Sequence, residues 1–220
     1  MSCNGASDME RAAERRLRTR FGDWQEILYR RGRREIMVLI FGDVHGREQV
    51  PCRVHSMCLS AHVLNSVECD CREQMEIAQR YISDSGFGLV IALDQEGKGN
   101  GHQALILAAR KATEESITQD EAYRLLGFDP DARDYGEAAE VLIDLKVASI
   151  ELLTNNPDKE AQLRKAGILV AATRQVALDL QLFPELRRYY DEKAKLGHNV
   201  YIRSTLASSS HQQRERSEHP

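Results

Sequence analysis

Apolar positions along the chain recur in two rhythms. Short runs rich in β-branched residues at 35–41, 53–57, 89–93, 150–153 and 168–171 predict strands. Between them the spacing changes to three and four residues. Over 73–83, Met75, Ala78, Tyr81 and Ile82 share one helical face, and Gly86 and Gly88 end the segment. Over 102–115 the stripe is Ala104, Leu105, Leu107, Ala108 and Ala112. Segments 120–126 (stopped by Gly127), 135–145, 158–165 and 184–195 complete the predicted helices. Interleaved strands and helices predict an α/β or mixed α+β chain with one main domain. Residues 1–15 read as a flexible arm or short helix, 16–203 as the domain, and 204–220 as a disordered tail rich in Ser, Gln and Arg.

Composition narrows the function. With 42% hydrophobic and 29% charged residues, the 220-residue chain can bury a core without staples. Thirty Lys and Arg against 34 Asp and Glu leave a net charge of −4, which argues against a bulk nucleic-acid binder. Arg11, Arg15, Arg16, Arg18 and Arg20 are interspersed with acidic residues and read as a solvated helix face. An anionic ligand must therefore be held by a local cluster. The longest apolar run, 36–41, is strand-sized, so no membrane partner is expected. The N-terminal stretch has no apolar signal core, and the expected location is cytoplasmic. Five cysteines, Cys3, Cys52, Cys58, Cys69 and Cys71, are an odd count that argues against a disulfide framework.

Cys58, Cys69 and Cys71 follow the pattern C-x10-C-x-C, the last two just before a helix. A helix N-terminus favours the thiolate, and three thiolates suit Zn²⁺. A fourth protein ligand, His62 or His55, would close the site and make it structural; water in that position would make it catalytic. The plainer alternative is that the cysteines are small buried apolar residues, which is the reading for Cys52. Three thiolates give the zinc site a charge near −1 and make bound water less acidic, so a nearby base or a charged substrate must help.

Two turns could hold phosphate. Gln95-Glu96-Gly97-Lys98-Gly99-Asn100-Gly101 follows a strand and leads into a helix, and its alternate glycines let backbone amides approach an anion. It is neither a Walker loop nor G-x-G-x-x-G, and alone it reads as an ordinary strand-to-helix turn. Thr154-Asn155-Asn156-Pro157-Asp158-Lys159 is a second such junction, with Thr or Asn as cap. Arg53, Val54, His55 and Ser56 add a cation and a hydroxyl beside the first cysteine of the cluster. In Asp131-Ala132-Arg133-Asp134-Tyr135-Gly136 two carboxylates flank a guanidinium, with Asp134 placed as an N-cap.

Together these stretches resemble the GTP cyclohydrolase II family of riboflavin synthesis. The resemblance rests on Arg53-Val54-His55-Ser56, Cys58, Cys69-Asp70-Cys71 with Gln74, the 95–101 turn, Leu126-Gly127-Phe128, Asp131 to Gly136, and Leu153-Thr154-Asn155-Asn156-Pro157-x-Lys159. Weaker matches are Thr19-Arg20-Phe21-Gly22 and Lys195-Leu196-Gly197-His198, so coverage runs from about 16 to 200. It implies Zn²⁺ on Cys58, Cys69 and Cys71 with water in the fourth position. It implies substrate contacts from Arg53, Val54, His55, Ser56, Met57, Gln74, Glu96, Gly97, Lys98, Thr154 and Lys159, with Mg²⁺ accompanying the triphosphate. It implies catalytic roles for Asp131 and Arg133, and a homodimer. The implied reaction opens the guanine imidazole ring of GTP and releases formate and pyrophosphate, leaving a diaminopyrimidinone ribonucleotide. Arg133 would act as a nucleophile on phosphorus, with Asp131 taking its proton, or as a charge clamp. Glu121 is assigned to guanine, because a carboxylate can accept from N1–H and the 2-amino group together.

Four positions depart from the family pattern. Met57 replaces a Glu, Lys98 an Arg, Gln119 a Thr and Ala109 a Tyr. They leave the zinc ligands, Asp131 and Arg133 untouched and put substrate and product in question. The enzyme could stop at the formylated intermediate or take another nucleotide. A non-catalytic nucleotide-binding protein with a structural zinc is the rival of another class.

Overall fold

The computed structural model describes residues 9–176, 178, 187–195 and 197. Seven strands form one mixed sheet: β1 (Glu10–Thr19), β2 (Gly22–Arg31), β3 (Arg34–Phe41), β4 (Val50–Ser56), β5 (Gly88–Leu93), β6 (Ile150–Leu153) and β7 (Val170–Arg174). Their order is β1-β2-β3-β5-β4-β6-β7. The first three form an antiparallel meander, and β5, β4, β6 and β7 run parallel to one another. The helices are α1 (Leu59–His62), α2 (Cys71–Ser85), α3 (His102–Glu115), α4 (Gln119–Leu125), α5 (Gly136–Asp144), α6 (Pro157–Lys165) and α7 (Arg187–Lys195).

Burial explains this layering. β5 is buried along its whole length, as a strand covered on both faces must be. On one face Ile27, Tyr29, Ile36, Val38 and Ile91 pack with Ala138, Val141 and Leu142 of α5 and Leu163 of α6. On the other, Trp24, Val90 and Leu153 pack with Ala78 and Ile82 of α2. A separate small cluster, Ala104, Ala108, Ala122 and Tyr123, ties α3 to α4. Among the described residues, no helix is long and apolar enough to cross a membrane.

The mixed α/β expectation holds, and its central elements lie close to where the hydrophobic pattern puts them. Two regions differ: Gly22–Arg31, for which the pattern predicts no element, forms β2, and the N-terminal arm needs correction. Residues 10–15, assigned to an arm or a helix, form the first half of β1; of the arginines read as a solvated helix face, Arg11, Arg15, Arg16 and Arg18 lie on this solvated edge strand and Arg20 in the turn after it. Alanine, glutamate and arginine favour a helix locally, but pairing with β2 overrides them. Residues 1–8, the tail 204–220, and Leu196 and His198 of the late weak match lie outside the described residues, as do 184–186 of the predicted last helix. The N-cap position of α5 is Tyr135 and not Asp134 as expected, although the Asp134 side chain accepts from the amide of Gly136, the first residue of the helix.

Candidate active site and metal centre

Three parallel neighbours, β5, β4 and β6, end on the same side of the sheet, with Ser56 opposite Leu93 and Cys52 opposite Leu152. The segments leaving those ends carry nearly all the residues singled out in the sequence. A crevice at the carboxyl ends of parallel strands is the standard ligand position in open α/β sheets.

The segment after β4 holds the sulfur cluster. Cys58 precedes α1, Asn65 turns the chain back with φ of 57°, and Cys71 is the first residue of α2. Arg72 donates to the Asn65 side chain at 2.6 Å, and the Ser66 amide donates to the Ser60 carbonyl at 2.9 Å, closing the loop. The three sulfurs gather within 4.8 Å of one another, and neither His55 nor His62 joins the group. Charge makes the cluster a cation site. Hydrogen bonds from Cys69 and Cys71 push Cys58 down to about 2, while the same sharing pushes Cys69 up to about 12 and Cys71 well up. Sharing of protons thus favours the thiolate on Cys58 and the thiol on Cys69 and Cys71. A divalent soft metal is what would let three ionise together, so the donor set fits Zn²⁺.

Behind the sulfurs lies a buried polar chain. Arg53 donates to Gln74 Oε1 at 2.6 Å and to the Leu153 carbonyl at 2.9 Å, bracing β4 against α2 and β6. Gln74 donates on to Asp70, which is 0% exposed. His55 is buried next to Arg53, its ring edge-on to His62 at 5.0 Å. Burial, and then the Arg53 charge, hold its pKa well below 6.5, so the ring is neutral. The Nε2 atoms of both histidines are buried without a hydrogen-bond partner among the described residues.

The segment after β5 turns tightly over Glu96–Gly99, where Gly97 and Lys98 both take left-handed backbone angles, φ 59° and 55°. Glu96 accepts from the Leu59 amide at 2.6 Å and so joins this turn to the cysteine loop. On its other side the Lys98 carbonyl accepts from the Ala132 amide at 2.9 Å, and Asn100 donates to the Asp129 carbonyl at 2.8 Å. Gln95 adds a bond to the Asp134 carbonyl. A methyl group on Gly99 would lie 2.8 Å from the Ala132 backbone, which is why only glycine fits there. The glycine turn thereby seats the 129–134 loop. In that loop Arg133 makes a forked pair with Asp131, through Nε at 2.7 Å and through a second nitrogen. Burial raises the Asp131 pKa, but the hydrogen bonds and charge of Arg133 outweigh it and leave the net shift downward.

Two expected phosphate contacts have other occupations. Arg53 is 5% exposed and Lys159 4%. Lys159 donates to the Val54 carbonyl at 2.6 Å and lies 5.0 Å from the centre of the Tyr135 ring. Desolvation first, then Arg53 and Arg133, hold its pKa well below the usual lysine value. Both side chains are therefore buried and bonded to main chain. Thr154 is buried too, accepting from the Asn156 amide at 3.1 Å, and Asn156 caps α6. Lys98 pairs with Asp120 at the start of α4, and Glu121 follows it, exposed. Ser56 reaches Gln95 at 3.3 Å, Met57 and Glu96 are half-buried, and Val54 and Gly97 are buried.

Residues 10–175 match the GTP cyclohydrolase II family. The chain belongs to that family. It is 37% identical over 189 residues to a riboflavin biosynthesis protein RibBA of Chlamydia trachomatis, covering 83% of this chain and 43% of that one. RibBA of Salinispora tropica is 40% identical over 196 residues, 86% of this chain and 48% of that protein. GTP cyclohydrolase-2 of Blochmanniella floridana is 38% identical over 193 residues, 86% of this chain and 96% of that one. The chain thus spans about half the length of the RibBA relatives it matches. Among solved structures, RibBX, a two-domain 3,4-dihydroxy-2-butanone 4-phosphate synthase from A. baumannii, overlaps 80% of this chain and 42% of its own at 16% identity, with a TM-score of 0.44. That likeness is too slight to bear on function.

For a member of the GTP cyclohydrolase II family, three of the four departures lie around the crevice. Met57 follows β4, Lys98 is in the glycine turn and Gln119 opens α4; Ala109, on α3, is half-buried. The family motifs also hid working parts. Asp70 appears in the motif only as the residue between two cysteines, with no role assigned to it. Its partners Tyr190 and Lys193 lie three apart on α7, and that helical spacing is the only local signal they give.

Proposed function

We propose that this chain hydrolyses the imidazole ring of GTP and releases formate and pyrophosphate, with Zn²⁺ on Cys58, Cys69 and Cys71. What carries the reading is one juxtaposition within a chain of this family: three sulfurs at the end of β4, joined through Glu96 to the glycine turn and through that turn to the Asp131–Arg133 pair. When bound, zinc would supply Lewis acidity and lower the pKa of a coordinated water, less far on three thiolates than on neutral ligands, so a base or the charged substrate would complete the activation.

The remaining work falls to side chains and backbone. The glycine turn, with Glu96 and Lys98, lines the crevice for the nucleotide, and Mg²⁺ accompanies the triphosphate. Buried Arg53 supplies positive potential from below, in a medium where charge is weakly screened, and Lys159 holds the Val54 carbonyl beside it. Arg133, held in a fork by Asp131, is positioned as a charge clamp on the phosphoryl group; a forked guanidinium stays protonated, which favours the clamp over the nucleophile. Glu121, exposed on the first turn of α4, is proposed to accept from the guanine edge. A homodimer and a cytoplasmic location belong to the same reading.

The test is a nucleotide panel incubated with the full chain, Zn²⁺ and Mg²⁺, with formate measured against nucleotide consumed. The proposal expects GTP to be consumed with one formate per turnover. Formate well below GTP consumed would replace it with arrest at the formylated intermediate. Consumption of another nucleotide instead would overturn the substrate, and no consumption by zinc-loaded protein would leave a nucleotide-binding protein with a structural metal.

A further inference from the structure

Asp70 sits between two cysteines of the sulfur cluster and is the residue from which α2 starts, yet its side chain does not cap that helix. It reaches instead to the far end of the chain. One oxygen accepts from the Tyr190 hydroxyl at 2.6 Å and from Gln74; the other faces the Lys193 ammonium at 3.3 Å. Tyr190 and Lys193 lie on α7, 120 and 123 residues further along the chain. Asp70 is fully buried and Tyr190 is 2% exposed. A carboxylate is taken fully out of water only where its partners are fixed, so this contact defines where the Asp70 backbone lies.

Because Cys69 and Cys71 flank that backbone, fixing Asp70 fixes two of the three sulfurs. Resting on the zinc reading above, we propose that Asp70, Tyr190 and Lys193 form a latch through which α7 positions the metal-binding thiolates. Asp70 touches neither metal nor substrate in this role; it is a positioning residue. Outer groups that orient metal ligands commonly change metal affinity by about ten- to hundredfold when removed. The coupling is reciprocal by thermodynamic necessity. Docked α7 favours the metal, and bound metal favours docked α7.

The test compares the full chain with Tyr190→Phe, Lys193→Met and the double variant, none of which alters a ligand. Lys195→Met, at the exposed end of the same helix, is the control. Zinc affinity is read by competition with a chromogenic chelator, the sulfur geometry by the thiolate-to-metal absorption of the Co²⁺-loaded chain, and α7 by amide exchange with and without zinc. The expected result is zinc bound about ten- to hundredfold more weakly by the double variant, with an altered Co²⁺ band, wild-type behaviour in Lys195→Met, and slower exchange in 187–195 when wild-type protein takes up zinc. Zinc affinity within about twofold of wild type in the double variant, with melting temperature lowered equally in metal-free and loaded protein, would overturn the latch and leave α7 a packing element. A wild-type chain that binds no zinc at all would instead remove the metal reading, and the latch with it.

Discussion

Arginine meets polar partners in two very different settings in this molecule. On the outer meander, Arg15 faces Glu26 and Arg16 faces Asp23 across the β1–β2 ladder, Arg11 reaches Asp144, and Arg20 pairs with Glu76 on α2. These groups are largely in water, and the shallow groove there is lined by Arg15, Arg16, Asp23 and Trp24. Inside, Arg53, the one arginine buried among the described residues, is linked through Gln74 to Asp70, all three buried and bonded on several sides. Exposed pairs set strand register and soften an edge that would otherwise template aggregation. The buried chain ties the strand ends to the segment that carries Cys69 and Cys71. The same chemistry thus does scaffold work in one place and site work in the other, and burial makes the difference.

Four substitutions test this contrast. The largest effect is expected from Arg53→Met. It keeps the bulk but strands the Gln74 oxygen and the Leu153 carbonyl in a dry interior, and denaturant unfolding should register a loss of about 2–4 kcal/mol. A variant as stable as wild type would show that the buried chain is not under the constraint argued here. Gly99→Ala comes next. Its methyl would press on the Ala132 backbone at a position with φ of 86°, so stability should fall by about 1–3 kcal/mol. Turnover should fall further than stability accounts for, because the Asp131–Arg133 loop loses its seat; kinetics at a temperature where both proteins are folded separates the two. The smallest effect belongs to Arg15→Ala and Arg16→Ala, expected within about 0.5 kcal/mol of wild type. A loss of several kcal/mol there would put the outer ribbon on a par with the core.

The contrast also marks what the amino-acid pattern reveals. Residues 150–153 and 102–115 are legible end to end because a buried run and an apolar stripe are local signals. The strand at 10–19 is not, since nothing in Glu-Arg-Ala-Ala-Glu-Arg-Arg favours a strand until β2 lies beside it. In the site, cysteine and glycine spacing exposes the sulfur loop and the tight turn, whose geometry depends on those residue types. The inward course of Lys159 is invisible because its direction is set by Val54 and Tyr135. The role of Asp70 is hidden for the same reason: its partners, Tyr190 and Lys193, come from a helix that sequence proximity cannot supply.

The account's central claim is that Cys58, Cys69 and Cys71 together hold one zinc ion at the mouth of the crevice. Native mass spectrometry of the full chain, wild type beside Cys69→Ser, tests it most directly. One zinc per wild-type chain and a near-empty variant is the predicted result. Wild-type protein without zinc, or a variant that retains a full complement, would contradict it.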